Sequence, residues 1–377
     1  MKILFNCLTM EKGGAERVIA LFSNYFIYNN EVTILTLKKG EDAYDLDKKV
    51  KRVCVDKTSY QKDGSIKRLA RKMSIRRLFG LRKIILAEGP DVIISFLPEP
   101  SLRLMFMKKF SPRLRKIPTI VSIRNDPARE YRSKLLKFVI KVLYKGVDGM
   151  VYQTEDAKRF FSDIVQIKNQ VVIQNPIDEN MLAKPLDDVE RGNVMVSVGR
   201  LEAQKNQELL VKAFDRIVKE DKEHNFVLKI YGEGSRKGTL LNLIDELRLS
   251  DKVFLEGRVE DVAAKLNEAK IFILSSRYEG MPNALMEAMA MGLACVSTDC
   301  PCGGPRTLIK DGENGILVKN EDEAALAEAI KKMINNDRLR QKLAKNAVRI
   351  RETNNIDVIA EQWKNFIKEV RKKKCKV

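Results

Sequence analysis

The sequence predicts an α/β chain built from two successive doubly wound domains with parallel sheets. Three observations predict it. Short apolar runs alternate with helix-like segments throughout, and β-branched runs such as Val92-Ile93-Ile94 read as strands buried on both faces. The length, 377 residues, favours two domains over one.

Met1–Cys7 reads as a first strand and Ala15–Tyr28 as a helix, with Ala15, Val18, Ile19, Phe22 and Phe26 on one face. Strands are expected next at Glu31–Leu37, Val50–Val55, Asp91–Leu97, Pro118–Ile123 and Asp148–Tyr152, with helical stretches between most of them. The run Val171–Pro176 closes this half, because Pro176 stops an extended segment and polar, acidic residues follow. The boundary is placed near residue 180. A second alternation gives strands at Asn193–Val198, Phe226–Tyr231, Lys252–Leu255, Lys270–Leu274 and Ala294–Ser297. Helices at Glu321–Asn335, Asp337–Arg351 and Ile356–Lys373 end the chain. The expected division is 1–180, 181–355, and a helix at 356–377 that packs back towards the first domain and carries a basic tail. Ligands of doubly wound sheets bind beyond the carboxyl ends of the strands, and two such domains facing each other form a cleft.

Hydrophobic residues at 44% and charged residues at 32% exclude a disordered or fibrous chain. Six Cys at no framework spacing fit a reducing compartment. No uninterrupted apolar stretch of ~18 residues is present, so no membrane-spanning helix is expected, and the N-terminus reads as a strand and loop, not a leader. The formal charge is +19 and unevenly spread: residues 1–150 hold 32 basic and 15 acidic side chains, residues 151–300 hold 20 and 25. Lys62–Lys83 is the densest segment, with Leu69, Met73, Leu78 and Phe79 among its lysines and arginines. Two readings stand there: a basic amphipathic helix on an anionic membrane surface, or a helix whose apolar face packs on its own domain. Arg371–Lys376 extends the basic character. A nucleic-acid partner is not expected, since no RNA-binding aromatic signature, zinc-finger spacing or basic zipper occurs and the middle of the chain is acidic.

Three motifs carry chemistry. Gly13-Gly14-Ala15-Glu16 opens a helix after the first strand, where backbone can approach an anion closely. It is neither a dinucleotide fingerprint nor a Walker loop. Gly199-Arg200 and Lys205 follow the first strand of the second half, and a forked guanidinium beside an ammonium suits a diphosphate. Arg277–Met289 places Glu279 before a helix and Glu287 within it, with Pro282 in the first turn and free N–H groups at a positive helix end. Carboxylates there can accept hydrogen bonds from vicinal sugar or ribose hydroxyls. Cys300-Pro301-Cys302 has the wrong spacing for zinc and reads as incidental, beside the loop Gly303-Gly304-Pro305. His224 reads as a surface loop residue.

Gly199-Arg200 with Lys205, the Glu279/Glu287 pair in EGMPNALMEAMAMGLACV, Asp311–Val318, Gly13–Glu16 and Asn175-Pro176 together resemble the retaining glycosyltransferases of family 4, which have the GT-B fold of two Rossmann-like domains facing across a cleft. The resemblance runs from Lys2 to about Trp363. It implies an acceptor-binding first domain, a second domain that binds a nucleotide-sugar, and catalysis without a metal or other cofactor. Arg200 and Lys205 would hold the donor diphosphate, Glu279 the donor sugar and Glu287 the ribose. Backbone at Gly199, Gly280, Met281, Asn283 and Ala284 would lie near sugar and phosphates, Val259 with its neighbours against the base, and Gly14 near the phosphates. The catalytic set is Glu279, Arg200 and Lys205.

The family's first-domain histidine is missing here. Ser122–Pro127 matches its place, which makes Arg124, Asn125 and Asp126 candidates for donor or acceptor contact and resembles members acting on lipid-linked oligosaccharides; Asp126-Pro127 also reads as a plain helix cap. The implied activity moves a hexose or N-acetylhexosamine from a nucleotide-diphosphate sugar, UDP before GDP, to a hydroxyl of a lipid-linked glycan, with retention. The implied location is cytoplasmic, peripheral on the inner face of the membrane through the basic first domain. The alternatives are a nucleotide-sugar epimerase of the same fold and a non-catalytic basic protein binding nucleic acid or membrane.

Overall fold

The computed structural model describes residues 1–59, 75–182, 191–221 and 224–374. They form two compact units, Met1–Pro176 with Ile356–Val377, and Ile177–Asn355.

Unit 1 contains β1 (Lys2–Cys7), α1 (Gly14–Phe26), β2 (Glu31–Lys39), β3 (Lys51–Ser59), α2 (Ile75–Glu88), β4 (Val92–Phe96), α3 (Pro98–Phe110), β5 (Thr119–Ser122), α4 (Lys134–Leu143), β6 (Gly149–Tyr152), α5 (Glu155–Ser162) and β7 (Gln170–Val172). The sheet order is β3-β2-β1-β4-β5-β6-β7, and every pairing is parallel. Phe5, Ile34, Ile94, Val151 and the inner face of α1 form a core on one side of the sheet. β5 begins one residue later than expected, because Pro118 has no N–H to give the ladder.

Unit 2 contains β8 (Val194–Val198), α6 (Gln207–Glu220), β9 (Val227–Tyr231), α7 (Lys237–Glu246), β10 (Val253–Gly257), α8 (Val262–Asn267), β11 (Ile271–Leu274), α9 (Asn283–Ala290), β12 (Ala294–Asp299), α10 (Gly304–Leu308), β13 (Ile316–Lys319), α11 (Glu323–Asn335) and α12 (Asp337–Ala347). Its order is β10-β9-β8-β11-β12-β13, again all parallel. β13 is an edge strand absent from the expected set; of its four residues only Val318 is buried.

The last helix, α13 (Ile356–Lys374), belongs to unit 1. Trp363 is fully buried, its ring 5.4 Å from Phe22 and 6.3 Å from Phe96. Arg371 reaches Asp91 at 3.3 Å, and Lys374 reaches Asp148 at 2.7 Å.

The helix expected at Asp337–Arg351 ends at Ala347, and a separate turn Ile350–Thr353 follows. His224 is buried, not a surface residue: its ring meets Phe214 edge-on at 5.6 Å, and its Nδ1 accepts from the Phe226 N–H at 3.3 Å. Burial lowers its pKa. Residues 62–74 of the basic segment, and 375–377 of the tail, lie outside the described residues. The described part of that segment is α2, whose Leu78, Leu81 and Ile85 pack against Leu4, Leu35 and Ile93 in the core.

Candidate functional site

The carboxyl edge of the unit 2 sheet gathers three loops. The β8–α6 loop carries Gly199, Arg200 and Lys205. The β11–α9 loop carries Ser275 to Pro282, and the β12–α10 loop carries Cys300 to Gly303. Lys205 Nζ donates to Glu279 Oε1 at 2.6 Å, and Ser276 Oγ donates to the same oxygen at 2.7 Å. The lysine side chain is 18% exposed and the glutamate 7%. Such a pair, largely out of water and braced by a hydroxyl, keeps both charges in fixed positions.

The backbone around the pair is tied in both directions. Ser275 Oγ donates to the Lys205 carbonyl at 3.0 Å, Arg277 N–H to the Gln204 carbonyl at 2.8 Å, and Gln204 Nε2 to the Tyr278 carbonyl at 3.0 Å. Glu279 N–H donates to the Pro301 carbonyl at 2.6 Å, and Cys302 N–H returns to the Glu279 carbonyl at 2.8 Å. The Cys-Pro-Cys segment is therefore the bracket of Glu279 and not incidental. Burial and the nearby Glu279 carboxylate push the Cys300 thiol pKa up, which makes it a packing residue. Gly304 is required by contact: a Cβ there would stand 1.8 Å from the Gly280 carbonyl oxygen. Gly232 at φ +147° has the same constraint against Gly199, whose carbonyl oxygen would lie 1.9 Å from an added Cβ.

Arg200 is exposed at the head of the Lys205 loop, and its carbonyl accepts from Gln207 Nε2 at 3.1 Å. The Lys205 stem lies back over Gly199. Gly280 and Met281 are buried, Asn283 and Ala284 half-buried at the start of α9. Pro282 is the N-cap of α9 and not a residue of its first turn. The opening N–H groups of a helix lack intrahelical partners and present a positive end. Glu287 is buried within α9. Val259 is half-buried in the loop after β10. The structure thus joins Lys205 directly to Glu279, sets Arg200 on the same loop, and holds Glu287 inside the helix that Glu279 precedes.

In unit 1, Gly14 opens α1. Arg124 follows β5 and is buried. Nη1 donates to Asn175 Oδ1 at 2.7 Å, and the guanidinium sits 4.5 Å from the Phe96 ring centroid and 5.8 Å from that of Trp363. Among the described residues its Nε and Nη2 have no hydrogen-bond partner, and burial lowers its pKa to about 9. Asn6 Oδ1, Ser122 Oγ and Gln153 Oε1, also at strand ends on this edge, lack partners among the described residues as well. Asp126 accepts from the Ala128 N–H at 2.9 Å and caps the turn Pro127–Glu130, with Asn125 half-buried before it. Glu130 is raised to about 8 by burial and by the Asp126 charge. Among the described residues, no group of three or more His, Cys, Asp or Glu could hold a metal ion. Ser275, Ser276 and Gln204 were not singled out from sequence, and Cys300–Cys302 was noted there without this role. The one signal for them was a Ser-Ser pair at a strand's carboxyl end.

Residues 12–180 match the family described as Glycosyltransferase Family 4, and residues 178–349 match Glycosyl transferases group 1. A Campylobacter jejuni protein is 29% identical over 98% of this chain and 99% of its own length. It is described as a "GalNAc-alpha-(1->4)-GalNAc-alpha-(1->3)-diNAcBac-PP-undecaprenol alpha-1,4-N-acetyl-D-galactosaminyltransferase". The amylovoran biosynthesis glycosyltransferase AmsD of Erwinia amylovora is 25% identical over 94% of this chain and 96% of its own. Among solved structures, Anabaena HepE in complex with UDP superposes with a TM-score of 0.80 at 18% identity, covering 98% of this chain and 100% of its own. Staphylococcus aureus TarM superposes at 0.79 and 17%, covering 97% and 99%. At these identities the two structures bear on the fold alone.

Proposed function

Since the chain belongs to the family-4-type glycosyltransferases, we propose that it is a retaining enzyme that moves an N-acetylhexosamine from a UDP-sugar to a hydroxyl of a lipid-linked glycan. The observation that carries this reading is the Lys205–Glu279 pair at 2.6 Å beside the exposed Arg200 and the start of α9.

Lys205 and Arg200 take the diphosphate oxygens, and the α9 N-terminus adds its dipole. Glu279, fixed by Lys205 and Ser276, accepts from donor-sugar hydroxyls. Glu287 serves the ribose and Val259 the base. As the bond from the anomeric carbon to the diphosphate oxygen breaks, negative charge grows on the leaving group and these cations stabilise it without a metal. The acceptor oxygen attacks the same face, and its proton passes to the departing diphosphate. The Arg124 to Asp126 stretch supplies acceptor-side contacts. The choice of sugar and of a lipid-borne acceptor follows the Campylobacter relative's description. The enzyme works at the cytoplasmic face of the membrane, drawn there by the basic first unit; among the described residues no helix is long and apolar enough to cross a bilayer.

A thermal-shift screen of UDP- and GDP-sugars, followed by transfer to a lipid-linked acceptor extract, tests this. UDP-N-acetylhexosamines should raise the melting temperature and be consumed with release of UDP. A folded chain that neither binds nor consumes any nucleotide-sugar overturns the reading.

A further inference from the structure

Helix α4 of unit 1 does not bury its apolar surface completely. Leu135, Phe138 and Val142 are 73%, 63% and 37% exposed and recur at the spacing of one helix face. Ser133 caps the helix, its Oγ accepting from the Leu136 N–H at 3.0 Å, so the stripe sits on an ordered element. Lys134, Lys137 and Lys141 each precede a stripe residue by one position, and all three are exposed. They form a cationic row about 100° round the helix from the apolar one.

At the far end of α4, on the amino side of β6 and β7, lies a cavity of about 730 Å³ lined by Lys141, Lys145, Lys168, Lys373 and Lys374. Its carboxylates are Asp148 and Asp163. Asp148 is engaged by Lys108 at 3.1 Å and Lys374 at 2.7 Å. Lys373 donates to Asn169 at 2.7 Å. Among the described residues, Lys141, Lys145 and Lys168 make no ion pair, so the cavity keeps an excess of positive charge. This edge is opposite the strand ends that carry Arg124 and the other orphaned polar atoms.

We propose that α4 and the cavity at its end form a docking surface for an anionic phospholipid bilayer. The Leu135–Phe138–Val142 stripe enters the headgroup boundary, and Lys141, Lys145 and Lys168 take a lipid phosphate at the cavity. A soluble polyanion would satisfy the lysines and leave three apolar side chains in water; a bilayer satisfies both. The surface is separate from the acceptor contacts assigned to Arg124–Asp126, and the proposal rests on the reading of a lipid-borne acceptor only for the choice of a membrane as partner.

The test is sedimentation of the full chain with phosphatidylglycerol or phosphatidylcholine vesicles at about 0.1 M salt. The chain should bind the anionic vesicles and not the neutral ones. Each lysine near an anionic surface is worth roughly fivefold in partition, so the triple variant Lys141→Ala/Lys145→Ala/Lys168→Ala should bind about a hundredfold less. Leu135→Ser/Phe138→Ser should also lose binding. Thermal melts identify any variant that is misfolded. Phe138→Trp supplies a readout that needs no loss: its emission should shift to the blue with anionic vesicles and stay unchanged with a single-stranded oligonucleotide. Equal binding of the triple variant, equal binding of the two vesicle types, or no shift in Phe138→Trp overturns the proposal, as does an equal shift with the oligonucleotide. No donor or acceptor sugar is present, so failure here leaves the transferase reading standing, and failure of the donor screen leaves the docking surface standing.

Discussion

Lys205 and Glu279, 74 positions apart in the chain, meet at 2.6 Å because β8 and β11 are neighbours in one sheet and both turn into loops at its carboxyl edge. A parallel sheet brings distant residues to a common edge without further device. The pair leaves Arg200 exposed on the same loop, so one cation anchors the acid while the other faces outward.

Lys205→Ala should lower transfer by about 10²–10³-fold, the scale of removing one preorganised charge from a developing anion. It also strands Glu279 without its cation, so Lys205→Ala/Glu279→Gln should lose less than the two single losses multiplied. Steady-state rates on a UDP-sugar and far-UV spectra check this.

Gly304→Ala should fail structurally. The added carbon meets the Gly280 carbonyl oxygen, which belongs to the backbone and cannot rotate away. A cost of about 1–3 kcal/mol lowers the melting temperature of unit 2 by several degrees and shifts the Glu279 loop with it. Calorimetric melting together with activity measures both effects.

Trp363→Ala should destabilise unit 1 by about 3–5 kcal/mol, since the ring fills space between Phe22 and Phe96 and supports the Arg124 guanidinium. Urea unfolding followed by near-UV circular dichroism reads it.

Glu130 gives a pH signature. Its folded pKa is raised to about 8 from 4.5, so between those values the folded state holds more protons than the unfolded one, and its contribution to stability falls as pH rises. Glu130→Gln should remove that fall. Subtracting the variant's unfolding free energy from that of the parent across pH 4.5 to 8 isolates it.

Chelation is expected to leave the transfer rate unchanged, because charge on the leaving diphosphate is assigned to Arg200, Lys205 and the α9 N-terminus. Rates with and without excess EDTA decide it.

Both sheets were legible in the sequence, because β-branched runs such as Val92–Ile94 and Ile271–Leu274 are buried on both faces and carry no competing helical period. The short edge strand β13 was not, since a run of three apolar residues is too short to separate a strand from a helix segment by pattern. Lys205, Arg200 and Glu279 stood out as charges after strand ends, and Glu287 as an acid inside a largely apolar helix. Ser276 did not, and Cys300–Cys302 was read as incidental, because their contribution is a hydroxyl contact and two backbone hydrogen bonds, which leave no mark on residue type. His224 read as a surface loop residue from its place between a helix and a strand; its neighbour Phe214, ten positions away, decided otherwise. The α4 stripe escaped notice because its apolar residues look like an ordinary core face until exposure is known.

The most direct test of the donor site is calorimetric titration of UDP into the parent chain, Arg200→Ala and Lys205→Ala, with uridine as the phosphate-free control. Binding of UDP should weaken at least about tenfold in each variant, while uridine binds all three alike. Unchanged UDP affinity in both variants would contradict the assignment of these two cations to the diphosphate.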